Sequence, residues 1–256
     1  MRIGICASPE ELHDFASLDY VEANVQSFLV PQQDEAAFAA RREAAKACPA
    51  SISAANCFLP GGMKSTGPAV DDAALDVYAQ TAFRRAARVG INIIVFGSGG
   101  SRQVPAGWDH ARATDQLVRF LGRVGPWAAD QGVTLVLEPL NRDETNIVNT
   151  LDEGLAIVQA VNAPGVRLLA DLYHMLREEE TPEALRRAGR WLSHTHLAEK
   201  ANRTPPGIAG DDFRPFLTVL KEIGFDDRMS LECRWENLPA QLAPAAGELR
   251  RQMGEA

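Results

Sequence analysis

Eight short apolar runs alternate with helix-forming stretches along the chain, and that rhythm constrains the fold more than any other feature. The runs occupy residues 3–6, 20–25, 52–58, 91–97, 134–140, 166–171, 192–198 and 229–233. Between them, residues 34–48, 71–89, 110–131, 151–161, 182–190, 212–223 and 239–253 read as helices, and 9–18 as a helical turn or two. The 110–131 segment is expected to bend at Gly125-Pro126, because proline lacks the amide donor and its ring clashes with the preceding turn. Nearly continuous apolar strands imply a sheet buried on both faces, as a parallel sheet covered by helices is. Eight such units over 256 residues allow about 32 residues each, which suits an α/β fold of a single (β/α)8 TIM barrel over residues 1–256. An open doubly wound sheet would show a glycine-rich fingerprint in its first strand-to-helix turn. Cys6-Ala7-Ser8-Pro9 stands there instead.

Charge and cysteine usage narrow the partners. The formal net charge is −8 with no run of Lys or Arg, a balance that repels phosphate backbones, so nucleic acid is not expected as a partner. Nothing approaches the run of roughly 18 apolar residues needed for a membrane span, and the N-terminus lacks the apolar stretch of a signal peptide. Cys6, Cys48, Cys57 and Cys233 form no CxxC pair and read as reduced thiols. The expected compartment is the cytoplasm. Homo-oligomerisation is compatible with all of this.

Barrel active sites lie where strands end, so polar residues there carry the chemistry. Strand five ends in Glu138 and strand six in Asp171; strand seven carries His196 and strand eight Glu232. The gaps of 33, 25 and 36 residues each match about one strand–helix unit, so the four side chains fall at similar height on consecutive strands. Three carboxylates together are costly to bury without a compensating cation. Oxygen donors with one imidazole suit a hard or borderline divalent ion, Mn²⁺ first, with Mg²⁺ or Co²⁺ as substitutes. His194 and His196 stand two apart and face the same way; His196, nearer the strand end, is the better ligand and His194 a hydrogen-bonded support. By the same period Arg234 follows Glu232, placed either to clamp a carboxylate or phosphate or to form a salt bridge at the rim. The Gly97–Arg102 string after strand four reads either as an anion cradle or as a flexible loop, and Gly61-Gly62 with Lys64 as a mobile lid. Phe58 and Trp108 either line the pocket or pack. His13 and His110 are expected at the surface.

Four strings carry a resemblance: LEPLNRDETNIVNTLDEG from strand five, DLYHMLREEE from strand six, HTHLAEKANRTPPG from strand seven and SLEC from strand eight. Together they resemble the xylose-isomerase-like barrel superfamily, in particular the sugar isomerase/epimerase branch with its tagatose and psicose 3-epimerases and hydroxypyruvate isomerases. The resemblance is close over the second half and architectural over the first. It implies that Glu138, Asp171, His196 and Glu232 bind the metal and that Glu138 and Glu232 also act as the acid/base pair. It further implies substrate contacts for Glu144, His174 and Arg203, although the stretch from His196 to Arg203 is one residue longer than in the epimerases. The expected activity is isomerisation or epimerisation of a keto-sugar or related polyol, a small-molecule carbohydrate, through proton abstraction beside a polarised carbonyl. The same site could serve a lyase or dehydratase acting on a keto-sugar, keto-inositol or 3-keto-glycoside. Apurinic endonuclease relatives of the superfamily need further histidines for a metal cluster. Strand three ends in Asn56-Cys57-Phe58 and strand four in Gly97-Ser98, with no histidine at either.

Overall fold

The computed structural model describes residues 1–12 and 18–256; His13 and the middle of the 9–18 segment lie outside them. Eight parallel strands close into a barrel in sequence order. They are β1 (Arg2–Cys6), β2 (Tyr20–Asn24), β3 (Ser51–Asn56), β4 (Ile93–Phe96), β5 (Thr134–Leu137), β6 (Val166–Asp171), β7 (Leu192–Leu197) and β8 (Arg228–Leu231). Closure is made by β1 on β8, with Ile3 opposite Met229 and Ile5 opposite Leu231. This is the expected (β/α)8 TIM barrel.

The helices are α1 (Glu35–Ala44), α2 (Asp72–Val89), α3 (Gly99–Arg102), α4 (His110–Asp130), α5 (Leu151–Val161), α6 (Leu172–Arg177), α7 (Glu183–Ala188), α8 (Arg214–Glu222) and α9 (Leu238–Glu255). Asp34, Asp71, Asp109 and Thr150 cap α1, α2, α4 and α5 by accepting a backbone N–H two or three residues into the first turn, which satisfies donors that have no partner inside the helix. Gly90 ends α2 at φ 82°, in the left-handed region. Two short helices, α3 and α6, were not evident from sequence. The bend expected at Gly125-Pro126 does not interrupt α4, which runs unbroken through Pro126. Gly125 is needed there for closeness instead: a Cβ on it would lie 2.6 Å from Val166 Cγ2.

Alternation along the strands sorts the core into two layers. Val21, Ala23, Ile94, Phe96, Leu135, Leu137, Leu168 and Ala170 belong to the large cluster under the helices. The residues between them, Tyr20, Ile93, Val95, Val136 and Leu169, join Ala54 in a separate small cluster that fills the barrel's interior. The inward parity continues upward as Glu22, Asn56, Gly97, Glu138, Asp171, His196 and Glu232, so apolar floor gives way to polar ceiling on one set of positions. Phe58 belongs to the outer layer. It is fully buried, stacked on Phe83 at 5.6 Å and edge-on to Phe96 at 5.9 Å, burial that contributes about 1.5–3 kcal/mol. It packs and does not line the site.

Candidate active site

Each of the four strand-end side chains is set by local structure. Glu138 follows β5 directly, and its carboxylate fits because residue 97 has no side chain: a Cβ on Gly97 would lie 2.2 Å from Glu138 Oε2. Asp171 ends β6 and caps α6, its Oδ1 accepting from Tyr173 N at 2.9 Å. That leaves Oδ2 facing His174 Nε2 at 3.5 Å and the Arg203 guanidinium at 3.3 Å. His196, fully buried on β7, presents Nδ1 to Glu138 Oε1 at 3.1 Å and to Glu232 Oε2 at 3.2 Å. Glu232, just past β8, also accepts from Asn56 Nδ2 at 2.9 Å and from Arg203.

One ligand-type atom from each of Glu138, Asp171, His196 and Glu232 lies within 4.8 Å of the others. Three oxygens and one imidazole nitrogen at that spacing could hold a divalent ion, and the charge balance favours one. Burial pushes Asp171 up to about 7, Arg203 only partly offsetting it while Glu138 and Glu232 add to it. Burial likewise raises Glu138 against the pull of His196. Glu232 goes the other way: burial opposes ionisation, but His196 and Arg203 beside it hold it down to about 2. Burial takes His174 down to about 3, with Arg203 adding to the effect, so this imidazole is neutral and its buried Nε2 has no hydrogen-bond partner. Three carboxylates crowded at one level, two of them disfavoured as anions by burial, are the setting a metal ion completes.

Above these groups opens a cavity of about 270 Å³, lined by Gln26, Asn56, Glu138, Glu144, His174, Arg203 and Glu232 among others. Cys57 also lines it, but burial pushes its thiol up to about 12, so it is a neutral wall group and no nucleophile.

A family model described as a xylose isomerase-like TIM barrel matches residues 13–253. The chain belongs to that family. Among relatives, an L-ribulose 3-epimerase of Methylomonas sp. (strain DH-1) is 34% identical over 137 residues, covering 47% of this chain and 48% of the relative. A D-psicose 3-epimerase of Agrobacterium fabrum is 32% identical over 133 residues, covering 52% and 44%. The chain thus spans about half the length of the curated relatives it matches. A solved D-psicose 3-epimerase with D-tagatose from Clostridium cellulolyticum H10 superposes with a TM-score of 0.83 at 20% identity, covering 99% of both chains; at that identity the likeness is one of fold.

Within this xylose isomerase-like barrel, the expected substrate residues divide. Glu144, His174 and Arg203 all line the cavity. Arg203 Nη1 approaches Glu144 Oε1 at 3.5 Å, and its guanidinium lies over the Tyr173 ring at 4.7 Å. Arg203 sits at φ 57°, beside Asn202 at φ 56°, a backbone state costly for non-glycine residues and tolerated where surroundings over-determine it. Buried Glu199 supplies that constraint: its carboxylate accepts from Gly207 N, Gly210 N and Thr204 Oγ1, each at 2.9 Å, and from Ala209 N. Arg234, by contrast, is exposed and absent from the cavity's lining. β8 ends at Leu231, so the two-residue alternation used to place Arg234 no longer applies; its backbone N–H is tied to Arg203 O at 2.8 Å.

Two glycine-rich loops are hydrogen-bonded to their surroundings. Gly99–Arg102 forms α3, and Arg102 turns inward, fully buried, donating to Phe96 O at 3.1 Å and to Glu138 O at 2.6 Å. It braces the backbone that carries Glu138, a role hidden inside a glycine-rich string. Lys64 ties the would-be lid to this loop, donating to Gly61 O at 2.6 Å and Gly100 O at 2.8 Å. Trp108 stacks under Arg112 at 4.3 Å in a separate surface cavity, and His110 is exposed. Glu22 gives no signal in the sequence beyond a lone acid in the apolar run Tyr-Val-Glu-Ala-Asn-Val.

Proposed function

We propose that the chain is a divalent-metal-dependent isomerase or epimerase of a keto-sugar or related polyol, most closely a ketose 3-epimerase. The observation that carries this reading is the pair Glu138 and Glu232: both line one small cavity, both accept from the same imidazole, and both belong to a four-donor group fit for an ion. The named relatives, epimerases of ribulose and psicose, support it. A cavity of about 270 Å³ lies at the small end of ligand pockets and suits a monosaccharide better than a polymer strand. Glu138, Asp171, His196 and Glu232 would hold the ion, with Mn²⁺ the proposed occupant and Mg²⁺ or Co²⁺ able to replace it. When bound, the ion polarises the substrate carbonyl and acidifies the neighbouring C–H.

The chain's own groups do the rest. One of Glu138 and Glu232 takes the proton from carbon while the other returns one from the opposite face, which inverts that carbon. Arg203 and Glu144 hold hydroxyls on the cavity's open side. Neutral His174 offers Nε2 to a substrate hydroxyl. Small-molecule carbohydrate is the only partner proposed, without nucleic acid, and the cytoplasm is the proposed compartment. Among the described residues no helix is long and apolar enough to cross a membrane.

The test is product analysis by mass and NMR after incubating the Mn²⁺-loaded protein with a panel of ketoses and 3-keto-glycosides. An isomer of equal mass is expected. A product lighter by one water, or an unsaturated one, would establish the lyase reading in its place. A second expectation separates positioning from metal binding. Arg203→Ala and His174→Ala should each lower kcat/KM by at least about tenfold, the effect of losing one good contact. Metal affinity, read by calorimetry, should be unchanged in His174→Ala. In Arg203→Ala it should be unchanged or tighter, because the guanidinium competes for Asp171 and Glu232. Loss of metal in either variant would show that the roles are misassigned.

A further inference from the structure

Glu22 sits on β2 in the barrel's interior, fully buried, one inward step above Tyr20. Packing gives no reason for a carboxylate there, and burying an ionised one is severely unfavourable unless its oxygens are fully satisfied. They are. Oε1 accepts from His196 Nε2 at 2.9 Å; Oε2 accepts from His194 Nε2 at 2.7 Å and from Ser230 Oγ at 2.6 Å. Ser230 in turn accepts from Tyr20 Oη at 2.7 Å, and the Tyr20 ring has room only because residue 4 is glycine, where a Cβ would lie 2.3 Å from it. A chain of donors thus runs across the interior and ends on one carboxylate.

That carboxylate decides what His196 can do. A neutral imidazole has one N–H and one lone pair, and an ionised carboxylate only accepts. In the metal-free protein both ring nitrogens face carboxylates and both can donate. Glu22 gives Nε2–H a fixed acceptor, so it is the Nδ1 proton, facing Glu138 and Glu232, that an incoming cation displaces, leaving the lone pair there. We infer that Glu22 is a positioning residue that locks His196 as the Nε2–H tautomer and so makes Nδ1 the metal-binding nitrogen. Metal-bound histidines are oriented in this way by a carboxylate on their other nitrogen, and removing such a partner weakens metal binding by roughly 10- to 100-fold. The inference rests on the metal-site reading proposed above. The tautomer also separates this site from the other donor group among the described residues: Cys6, Glu22 and His196 lie within 4.8 Å of one another, and an ion there would take Nε2 and leave the proton on Nδ1.

Two measurements test it. The first is ¹⁵N NMR of the imidazoles in the Zn²⁺-loaded protein, a diamagnetic holo form. The His196 proton is expected on Nε2, with Nδ1 shifted by the metal; a proton on Nδ1 overturns the inference. The second is Mn²⁺ affinity by calorimetry for wild type, Glu22→Gln and Asp171→Asn. Glu22→Gln should weaken binding by roughly 10- to 100-fold, because an amide can offer its N–H to His196 and reverse the tautomer. Asp171→Asn, which removes a direct ligand, should bind weaker still. If Asp171→Asn loses the metal while Glu22→Gln stays within about threefold of wild type, the role of Glu22 is wrong and the metal site stands. If both bind like wild type, the metal site itself is wrong and the inference falls with it. Should Glu22→Gln fail to fold, the wild-type tautomer decides alone.

Discussion

Asp171→Asn is expected to lose both the divalent ion and the activity while keeping the fold. The substitution is chosen because Asp171 does two jobs. Its Oδ1 caps α6 through Tyr173 N, and asparagine caps about as well as aspartate. Its Oδ2 faces the ligand group, where an amide is a far poorer partner for a cation. For wild type, Mn²⁺ at 100 times its Kd should stabilise the fold by about 2.7 kcal/mol, a rise of roughly 5–10 °C in melting temperature for a chain of this size. In Asp171→Asn that rise should vanish. The metal-free proteins should differ in the opposite sense. Asp171 is pushed up to about 7, above its unfolded value, so its ionisation destabilises the metal-free fold, a penalty absent at acid pH and complete above pH 7. Metal-free Asp171→Asn should therefore be the more stable protein at pH 8, and the advantage should shrink as the pH falls toward 4. A metal-induced rise in melting temperature that survives in the variant would remove Asp171 from the site.

The second large effect concerns Glu138 and Glu232. Glutamine keeps the shape and one carbonyl oxygen for the ion but cannot take a proton from carbon. Each of Glu138→Gln and Glu232→Gln should lose at least about 100-fold in rate, or roughly 2.7 kcal/mol of transition-state stabilisation. The two should differ in metal affinity. Glu232 accepts from Asn56 at one oxygen and from His196 and Arg203 at the other, so either orientation of an amide sets N–H against a donor. Glu138 accepts from His196 at Oε1, and its Oε2 rests against the bare Cα of Gly97, so an amide N–H can turn toward Gly97 without meeting a donor. Glu232→Gln should consequently bind metal the more weakly. If the carboxylates serve opposite faces, each variant should still exchange solvent hydrogen into one epimer while failing to interconvert the pair. Near wild-type epimerisation by both would remove the pair from the mechanism and leave the reaction to a different base.

What could be read from the sequence follows from strand periodicity. The barrel and the four clustered donors were legible because strand ends recur at about one unit's spacing and inward parity brings Glu138, Asp171, His196 and Glu232 to one level. The limits have the same origin. Parity carries one residue past a strand's end, as far as Glu138 and Glu232, but not three, so it does not place Arg234 beyond Leu231. Glu22 was invisible because its partners, His194, His196 and Ser230, come from the far side of the barrel, more than 170 residues along the chain. Arg102 was hidden because Gly97–Arg102 has the composition of a flexible loop, and only tertiary contact turns its guanidinium inward. The helix α6 is not legible because its cap, Asp171, is also a strand-end carboxylate.

Proton transfer at a carbon next to a metal-polarised carbonyl is the central proposed step, and deuterium incorporation tests it most directly. Ketoses incubated in deuterated water with the Mn²⁺-loaded protein should acquire solvent deuterium at the carbon beside the carbonyl, even where net conversion is slow, and should acquire none with Asp171→Asn. Ketoses recovered free of deuterium from the metal-loaded wild type, or equally labelled by Asp171→Asn, would contradict it.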